Sequence, residues 1–368
     1  MKKALLVLLL LAVAAGGLFA QVSFSGSVIS GLEVVIPDEG DIKLYQYHQD
    51  GARYRFQLSA SYTNADGTAG AGATIRNTNG AFAHDGANAW VKPLDILTLR
   101  IGTSGPGGFG SLGAMDVSND AATGFGLSAL LVPTSTFSLG ASVIPGNGVK
   151  FDDARYNFGA KVTAPDLLTA VANLMYNGAA NDGDGQVNVA AGVGVTALNA
   201  ASGESGLTRL AVDVQANNIT QDLDWIGIGP AIGFRVANVA AGNLTGTLRS
   251  RIWLPLNDNN ELDFVVGADA SVPIVTGVTF RLGAAFESKA TGLKAASTNE
   301  NYAGAIDYRD WDTLNQGIGG TDPLLAIRPS LTFNIGGGTI ETGWSFQTFL
   351  ADTAKTQQAI YAIFGVSF

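Results

Sequence analysis

From Gln21 to its last residue the chain alternates apolar and polar side chains in blocks of about ten residues, roughly eighteen times over. A strand turns successive side chains to opposite faces, so each block reads as a strand with one apolar and one polar face. One block sets Tyr54, Phe56, Leu58, Ala60 and Tyr62 against Arg53, Arg55, Gln57, Ser59, Ser61 and Thr63. Another sets Leu244, Leu248, Ile252 and Leu254 against Thr245, Thr247, Arg249, Arg251 and Trp253. A third sets Val278, Phe280, Leu282, Ala284 and Phe286 against Thr279, Arg281, Gly283 and Glu287. Ordinary globular strands average about five or six residues, whereas a tilted strand needs about nine to eleven to cross a bilayer. Beyond residue 20 no apolar run approaches the length of a transmembrane helix, so any crossing is made by strands.

The connections alternate as well. Asn64-Ala-Asp-Gly67, Pro93-Leu-Asp95, Pro133-Thr-Ser135, Pro165-Asp-Leu167, Pro273 to Gly277 and Gly336-Gly-Gly338 are short and carry ordinary turn residues. Between them lie long connections such as Pro37 to Ala52, Ser104 to Thr123 and Lys289 to Pro323. Asn199 to Ser205 is long for a turn, and Asn257 to Asn260 is short for a loop. A soluble sandwich has no reason to sort its connections in this way. A membrane barrel has short turns on one side and longer loops on the other.

Both ends of the chain point to export and membrane insertion. Lys2 and Lys3 precede the unbroken apolar run Ala4 to Ala15, and Gly16-Gly-Leu-Phe-Ala20 leads into Gln21. This reads as a secretory leader, residues 1–20, cut after Ala20, although Leu18 only half meets the small-residue rule at the cut. An uncleaved anchor is the weaker reading, because the apolar core is short for a span. The last segment, Tyr361-Ala-Ile-Phe-Gly-Val-Ser-Phe368, alternates Ile360, Ala362, Phe364, Val366 and Phe368 with a mixed row, and it ends on an aromatic residue. It resembles the terminal strand of bacterial outer-membrane β-barrels. The resemblance implies that Phe364, Val366 and Phe368 form the signal read by the barrel-assembly machinery.

Ala89-Trp-Val-Lys-Pro-Leu-Asp-Ile-Leu-Thr-Leu-Arg-Ile-Gly102, a strand, a tight turn and a strand with an inward Arg, is similar to hairpins of porin-type barrels. With the leader and the terminal Phe, the whole mature chain resembles a bacterial porin, with the divergent spirochaete porin-like proteins as its nearest likeness. The expected fold is all-β: a closed antiparallel transmembrane barrel of about eighteen strands, with sixteen as the alternative, spanning residues 21–368. Both termini are expected in the periplasm, and localisation in the cell outer membrane. In porins the loop corresponding to Ser104–Thr123 folds into the barrel and narrows it. That likeness makes Asp116 and Asp120 candidate constriction residues facing wall arginines; a loop lying over the mouth is the alternative.

Charge sorts by position. Parity places thirteen basic residues opposite the apolar face: Arg53, Arg55, Arg76, Lys92, Arg100, Arg155, Lys161, Arg209, Arg235, Arg249, Arg251, Arg281 and Arg328. Seven acids share that face, namely Glu33, Asp213, Glu261, Asp263, Asp269, Glu287 and Glu341, which leaves 24 of the 31 acids for loops, turns and strand ends. No basic residue falls on the apolar face, where an Arg or Lys at mid-bilayer would cost about 2–4 kcal/mol. A barrel with this pattern has a net basic inner wall and acidic rims. Arg53, Arg55, Arg76, Arg100, Arg249, Arg251, Arg281 and Arg328 are the candidate pore-lining residues.

Several function classes find no support. Without Lys2 and Lys3 the net charge moves from −10 to −12, the wrong sign for binding nucleic acid. The absence of Cys removes disulfides and thiolate metal sites, and no cofactor or metal is expected. Of the 368 residues 48 are Gly, nearly twice the usual share of about 7 %, yet they show no triplet period that would suggest collagen. The two histidines, His48 and His84, are not flanked by residues that would make a catalytic set, so no enzyme is expected. Asn181-Asp-Gly-Asp-Gly185 offers alternate oxygens for calcium, but Val187 and Val193 stand where the twelve-residue loop needs Gly and Glu. Gly105-Pro-Gly-Gly-Phe-Gly110 lacks the Lys-Ser/Thr of a phosphate loop. Two readings remain. One is a porin passing small hydrophilic solutes, with outer-membrane lipid and the assembly machinery as partners and a homotrimer as one form of assembly. The other is a surface adhesin or receptor built on a filled barrel. Strand number and the polar, Gly-, Ser-, Thr- and Arg-rich inner positions favour the porin.

Overall fold

The structure, a computed structural model, describes residues 21–37, 40–47, 54–78, 81–103, 109–110, 112–114, 125–145, 151–178, 185–195, 198, 204–216, 219, 225–256, 262–288, 323–350 and 356–368. The leader read at residues 1–20 lies outside them. The strands are β1 Gln21–Pro37, β2 Lys43–Tyr47, β3 Tyr54–Thr63, β4 Ala69–Thr78, β5 Ala81–Leu94, β6 Leu97–Thr103, β7 Phe125–Thr134 and β8 Phe137–Ile144. They continue as β9 Arg155–Ala164, β10 Leu168–Asn177, β11 Gln186–Val195, β12 Gly206–Ala216, β13 Trp225–Val239 and β14 Gly242–Pro255. The last five are β15 Asp263–Val275, β16 Val278–Glu287, β17 Leu324–Ile335, β18 Gly338–Phe349 and β19 Thr356–Ser367.

From β3 onward each strand pairs antiparallel with the next, and β19 returns to β1 in a register running from Ser27↔Ser367 to Pro37↔Gln357. The other edge of β1 is shared: β3 covers its first half, from Gln21↔Thr63 to Ser30↔Tyr54, and β2 its second, from Gly31↔Tyr47 to Val35↔Lys43. β2 and β3 therefore fill one place between them, and the sheet closes as an eighteen-strand barrel rather than a sixteen-strand one. Closure leaves no open edge in the ring formed by β1 and β3 to β19, as an apolar solvent requires. At about 4.8 Å between strands and a tilt of about 40°, eighteen strands enclose a barrel roughly 35 Å across.

The expected short turns are all present. β3 and β4 are joined at Asn64–Thr68, where the Asn64 side-chain oxygen accepts from the N–H groups of Thr68 and Ala69 at 2.8 and 2.9 Å. Asp95–Ile96, Ser135–Thr136, Pro165–Leu167, Thr276–Gly277 and Gly336–Gly337 make the corresponding turns further along. Pro93, Pro133 and Pro273 end up in the last residues of strands rather than in the turns themselves.

Alternation maps onto the two faces. Phe24, Leu32, Leu99, Ile101, Phe158, Leu174, Val212, Val214, Leu248, Leu254, Ile360 and Phe364 are exposed on strands all round the barrel. Their sequence neighbours Glu33, Asn157, Asn173, Asp213 and Tyr361 are buried. A continuous apolar exterior of this extent would be a liability in water and is the expected surface in hydrocarbon. The opposite face changes along its height. Near the turn end Ser23, Ser25, Thr245, Arg281 and Thr339 are exposed, whereas near the loop end Val35, Trp253, Val265, Ser345, Gln347 and Ala359 are buried.

Some of the glycines serve ring packing. Gly70, Gly246 and Gly343 stand directly across the ladder from Trp90, Phe234 and Tyr361, and a Cβ on any of them would collide with that ring. The seam repeats the device. Phe368 lies one residue past β19, but its N–H donates to the Gly26 carbonyl at 2.9 Å and its carbonyl accepts from the Gly26 N–H at 2.7 Å. Its ring lies where a Gly26 Cβ would be. Aromatic cover of a strand glycine pins register, here at the point where the barrel closes.

Candidate functional site

In a barrel this wide, side chains projecting from the wall cannot meet at the centre, so any narrowing must come from a loop. The loop between β6 and β7 leaves the sheet by a local device. Gly102 adopts φ +137°, a backbone conformation a side chain would clash in, since a Cβ there would meet the Ala87 carbonyl. Next to it the Thr103 hydroxyl accepts from the Ala87 N–H at 2.7 Å and donates to the Ala87 carbonyl at 3.1 Å. That side chain takes the part of the backbone pair lost there, and β6 separates from β5.

Residues 109–110 and 112–114 then sit against the inner wall several strands away. Asn173 on β10 holds Phe109 by both backbone groups: its oxygen accepts from the Phe109 N–H and its amide donates to the Phe109 carbonyl, each at 2.8 Å. Phe109 and Leu112 pack on the buried pair Val171 and Ala190. Asp213 on β12, 0 % exposed, accepts from the Leu112 N–H at 3.1 Å and from the Gly113 N–H at 2.6 Å. Arg209, four residues earlier on the same strand, donates from Nε to the Leu112 carbonyl at 2.9 Å, and its terminal nitrogen bonds the Leu112 and Gly113 carbonyls.

The far end of the segment reaches β13 and β14. Pro230, with no N–H, interrupts the ladder between Ile228↔Ile252 and Ala231↔Arg249, and Gly229 and Arg251 fall in that gap. The Ala114 N–H donates to the Gly229 carbonyl at 2.9 Å, and Arg251 Nε donates to the Ala114 carbonyl at 2.6 Å. Among the described residues every hydrogen bond from the loop to the wall is made by the loop's backbone, and every side chain in these bonds belongs to the wall. Asn173, Asp213 and Arg251 lie three to four residues inside the loop ends of β10, β12 and β14, so the contacts run across the wall just below the rim rather than over it.

Two groups of charge stand together on the described wall. On β12 to β14, Arg209, Arg235, Arg249 and Arg251 share a face, with Asp213 among them and Asp269 hydrogen-bonded to Thr247 beside them. Across β17 to β19, Arg328 Nε donates to the Tyr361 hydroxyl at 2.7 Å, lies 4.4 Å over its ring and pairs with Glu341 at 3.4 Å. The Tyr361 hydroxyl donates to the same carboxylate at 3.1 Å.

Arg76 on β4 and Arg100 on β6 are partly buried on this face, and Arg281 is exposed toward the turn end. Arg53, Asp116, Asp120, Glu261 and His48, and the side chains of Arg55 and His84, lie outside the described residues. Among the described residues no three His, Asp or Glu side chains are placed to hold a metal ion. Sequence reading placed Arg209, Asp213 and Arg251 on the wall but did not see them as loop ligands, and it passed over Asn173. A lone Asp213 between Val212 and Val214 was the visible signal; its partners depend on contacts across about a hundred residues.

No family model matches the sequence, and no curated protein sequence matches it either. Solved structures do match in fold. OpdL of Pseudomonas aeruginosa aligns at a TM-score of 0.55 with 10 % identity, covering 95 % of this chain and 99 % of that one. OccAB4 of Acinetobacter baumannii aligns at 0.55 with 8 % identity over 95 % and 98 % of the two chains. The outer membrane protein OprD of Pseudomonas aeruginosa aligns at 0.53 with 10 % identity over 96 % and 95 %. At such identities the likeness is one of fold, and it extends along almost the whole of each chain.

Proposed function

We propose that the barrel is an outer-membrane porin, a passive diffusion channel for small hydrophilic solutes. The observation that carries this reading is the backbone of Phe109 and of residues 112–114 hydrogen-bonded across the inner wall on β10 to β14, where it narrows a barrel otherwise wide enough for water. An exposed apolar exterior supports the membrane setting, and the shared fold with an outer membrane protein supports which membrane. Residues 1–20 act as the leader, Phe364, Val366 and Phe368 as the assembly signal, and both termini face the periplasm. Loop 104–123 forms the constriction, and the arginines of β12 to β14, with Arg76, Arg100, Arg281 and Arg328, line the path. The passage gives solutes a field and a width; no bond is made or broken.

The surface-receptor reading draws on one observation, the burial of the inner face toward the loop end at Val35, Val265, Ser345, Gln347 and Ala359. Swelling of liposomes carrying purified protein in isotonic sugars of graded size separates the two. A porin admits the smaller sugars and excludes the larger. Liposomes that swell in none of them would leave the filled barrel.

A further inference from the structure

Resting on the porin reading, we propose that Asp213 is the positioning residue that sets the width of the channel, by clamping the loop through two backbone N–H groups from inside the wall. Four observations meet at this carboxylate. It is wholly buried, which for an ionised group demands strong partners. Its two oxygens take the adjacent N–H groups of Leu112 and Gly113, a fork that fixes the direction of the loop as well as its distance. Arg209, four residues earlier on the same strand, grips the carbonyls of the same two residues, so both polarities of that peptide stretch are held.

The fourth observation is space. Gly192 on β11 is the register partner of Asp213, and a Cβ there would collide with the Asp213 carboxylate. Gly113 on the loop fits the same spot from the other side, where a Cβ would strike the Gly229 carbonyl and the Asp213 backbone N–H. Two glycines on different elements thus leave room for one carboxylate and the peptide it holds. Among the described residues every hydrogen bond of the loop is made by its backbone, so side chains of the wall fix where Leu112 and Gly113 sit. Asp213 touches no solute in this account; it acts through the loop.

Two variants separate its position from its charge. Asp213→Asn removes charge and replaces one acceptor by a donor facing an N–H. Gly192→Ala keeps the charge and displaces the carboxylate. Hydrogen exchange of the folded barrel in detergent, read on the peptide spanning 109–114, reports docking; single-channel conductance reports width. The expected result is slow exchange in the wild type, fast exchange in both variants, and conductance raised severalfold in both. Should either variant fail to fold, Gly113→Ala tests the same contact from the loop. Fast exchange in the wild type overturns the clamp. Lost protection with unaltered conductance overturns its control of width. A wild-type barrel that conducts nothing, yet loses protection in the variants, refutes the porin reading while leaving the clamp standing.

Discussion

An arginine at Leu248 and an arginine at Thr247 are adjacent in sequence and should differ by orders of magnitude in effect. Leu248 is 45 % exposed on the outer face of β14, and Thr247 faces inward to Asp269. Leu248 is the seventh residue of a strand starting at Gly242. Six steps of about 3.3 Å at a tilt of about 40° put it roughly 15 Å above the turn end, near the middle of an apolar band about 25 Å tall. At that depth a lipid-facing arginine costs about 2–4 kcal/mol, a shift of roughly 30- to 700-fold in the folding equilibrium. Thr247→Arg loses a hydrogen bond worth about 1 kcal/mol but gains a carboxylate partner, so its net effect should stay within about 1 kcal/mol. Reversible guanidinium titration of protein folded into phospholipid vesicles measures both. Equal costs at the two positions, or a cost below about 1 kcal/mol at Leu248, would refute the assignment of faces.

Other perturbations follow from the same geometry. Gly26→Leu should drive Phe368 off the seam and slow closure, seen as less heat-modifiable, compact species on electrophoresis; normal assembly would show that the ring contact is incidental. Deleting residues 107–120 should enlarge single-channel conductance severalfold, and an unchanged channel would put the loop outside the constriction. The channel should prefer anions weakly, because wall charges in a narrow lumen keep more of their field than acidic rims screened over about 8 Å. Arg249→Glu or Arg281→Glu should lower that preference in zero-current potentials, and a clear cation preference in the wild type would reverse the charge map.

Much of the barrel is legible because period two is local. Val212, Asp213 and Val214 reveal their faces from neighbours alone, and so do Leu248 and Arg249. Short turns are legible for the same reason: Asn64 bonds residues four and five positions on. What the sequence hides is anything that depends on register between distant strands. Gly192 and Asp213 look unrelated until their pairing is known, and the same holds for Gly26 and Phe368. The site shows the limit most clearly. Asp116 and Asp120, the loop acids expected to face wall arginines, lie outside the described residues; in the described contacts the carboxylate is on the wall and the arginines hold loop carbonyls. Backbone groups leave no mark on a sequence, so a loop that docks by its backbone is invisible until its partners are in place.

Single-channel recording of the purified wild-type protein in a planar lipid bilayer tests the porin assignment most directly. Discrete, ohmic conductance steps with a small anion preference are expected, of a size set by a barrel narrowed by one loop. A bilayer that stays at its baseline while folded protein is inserted would contradict the channel, and would leave a filled barrel whose outer loops face a partner instead.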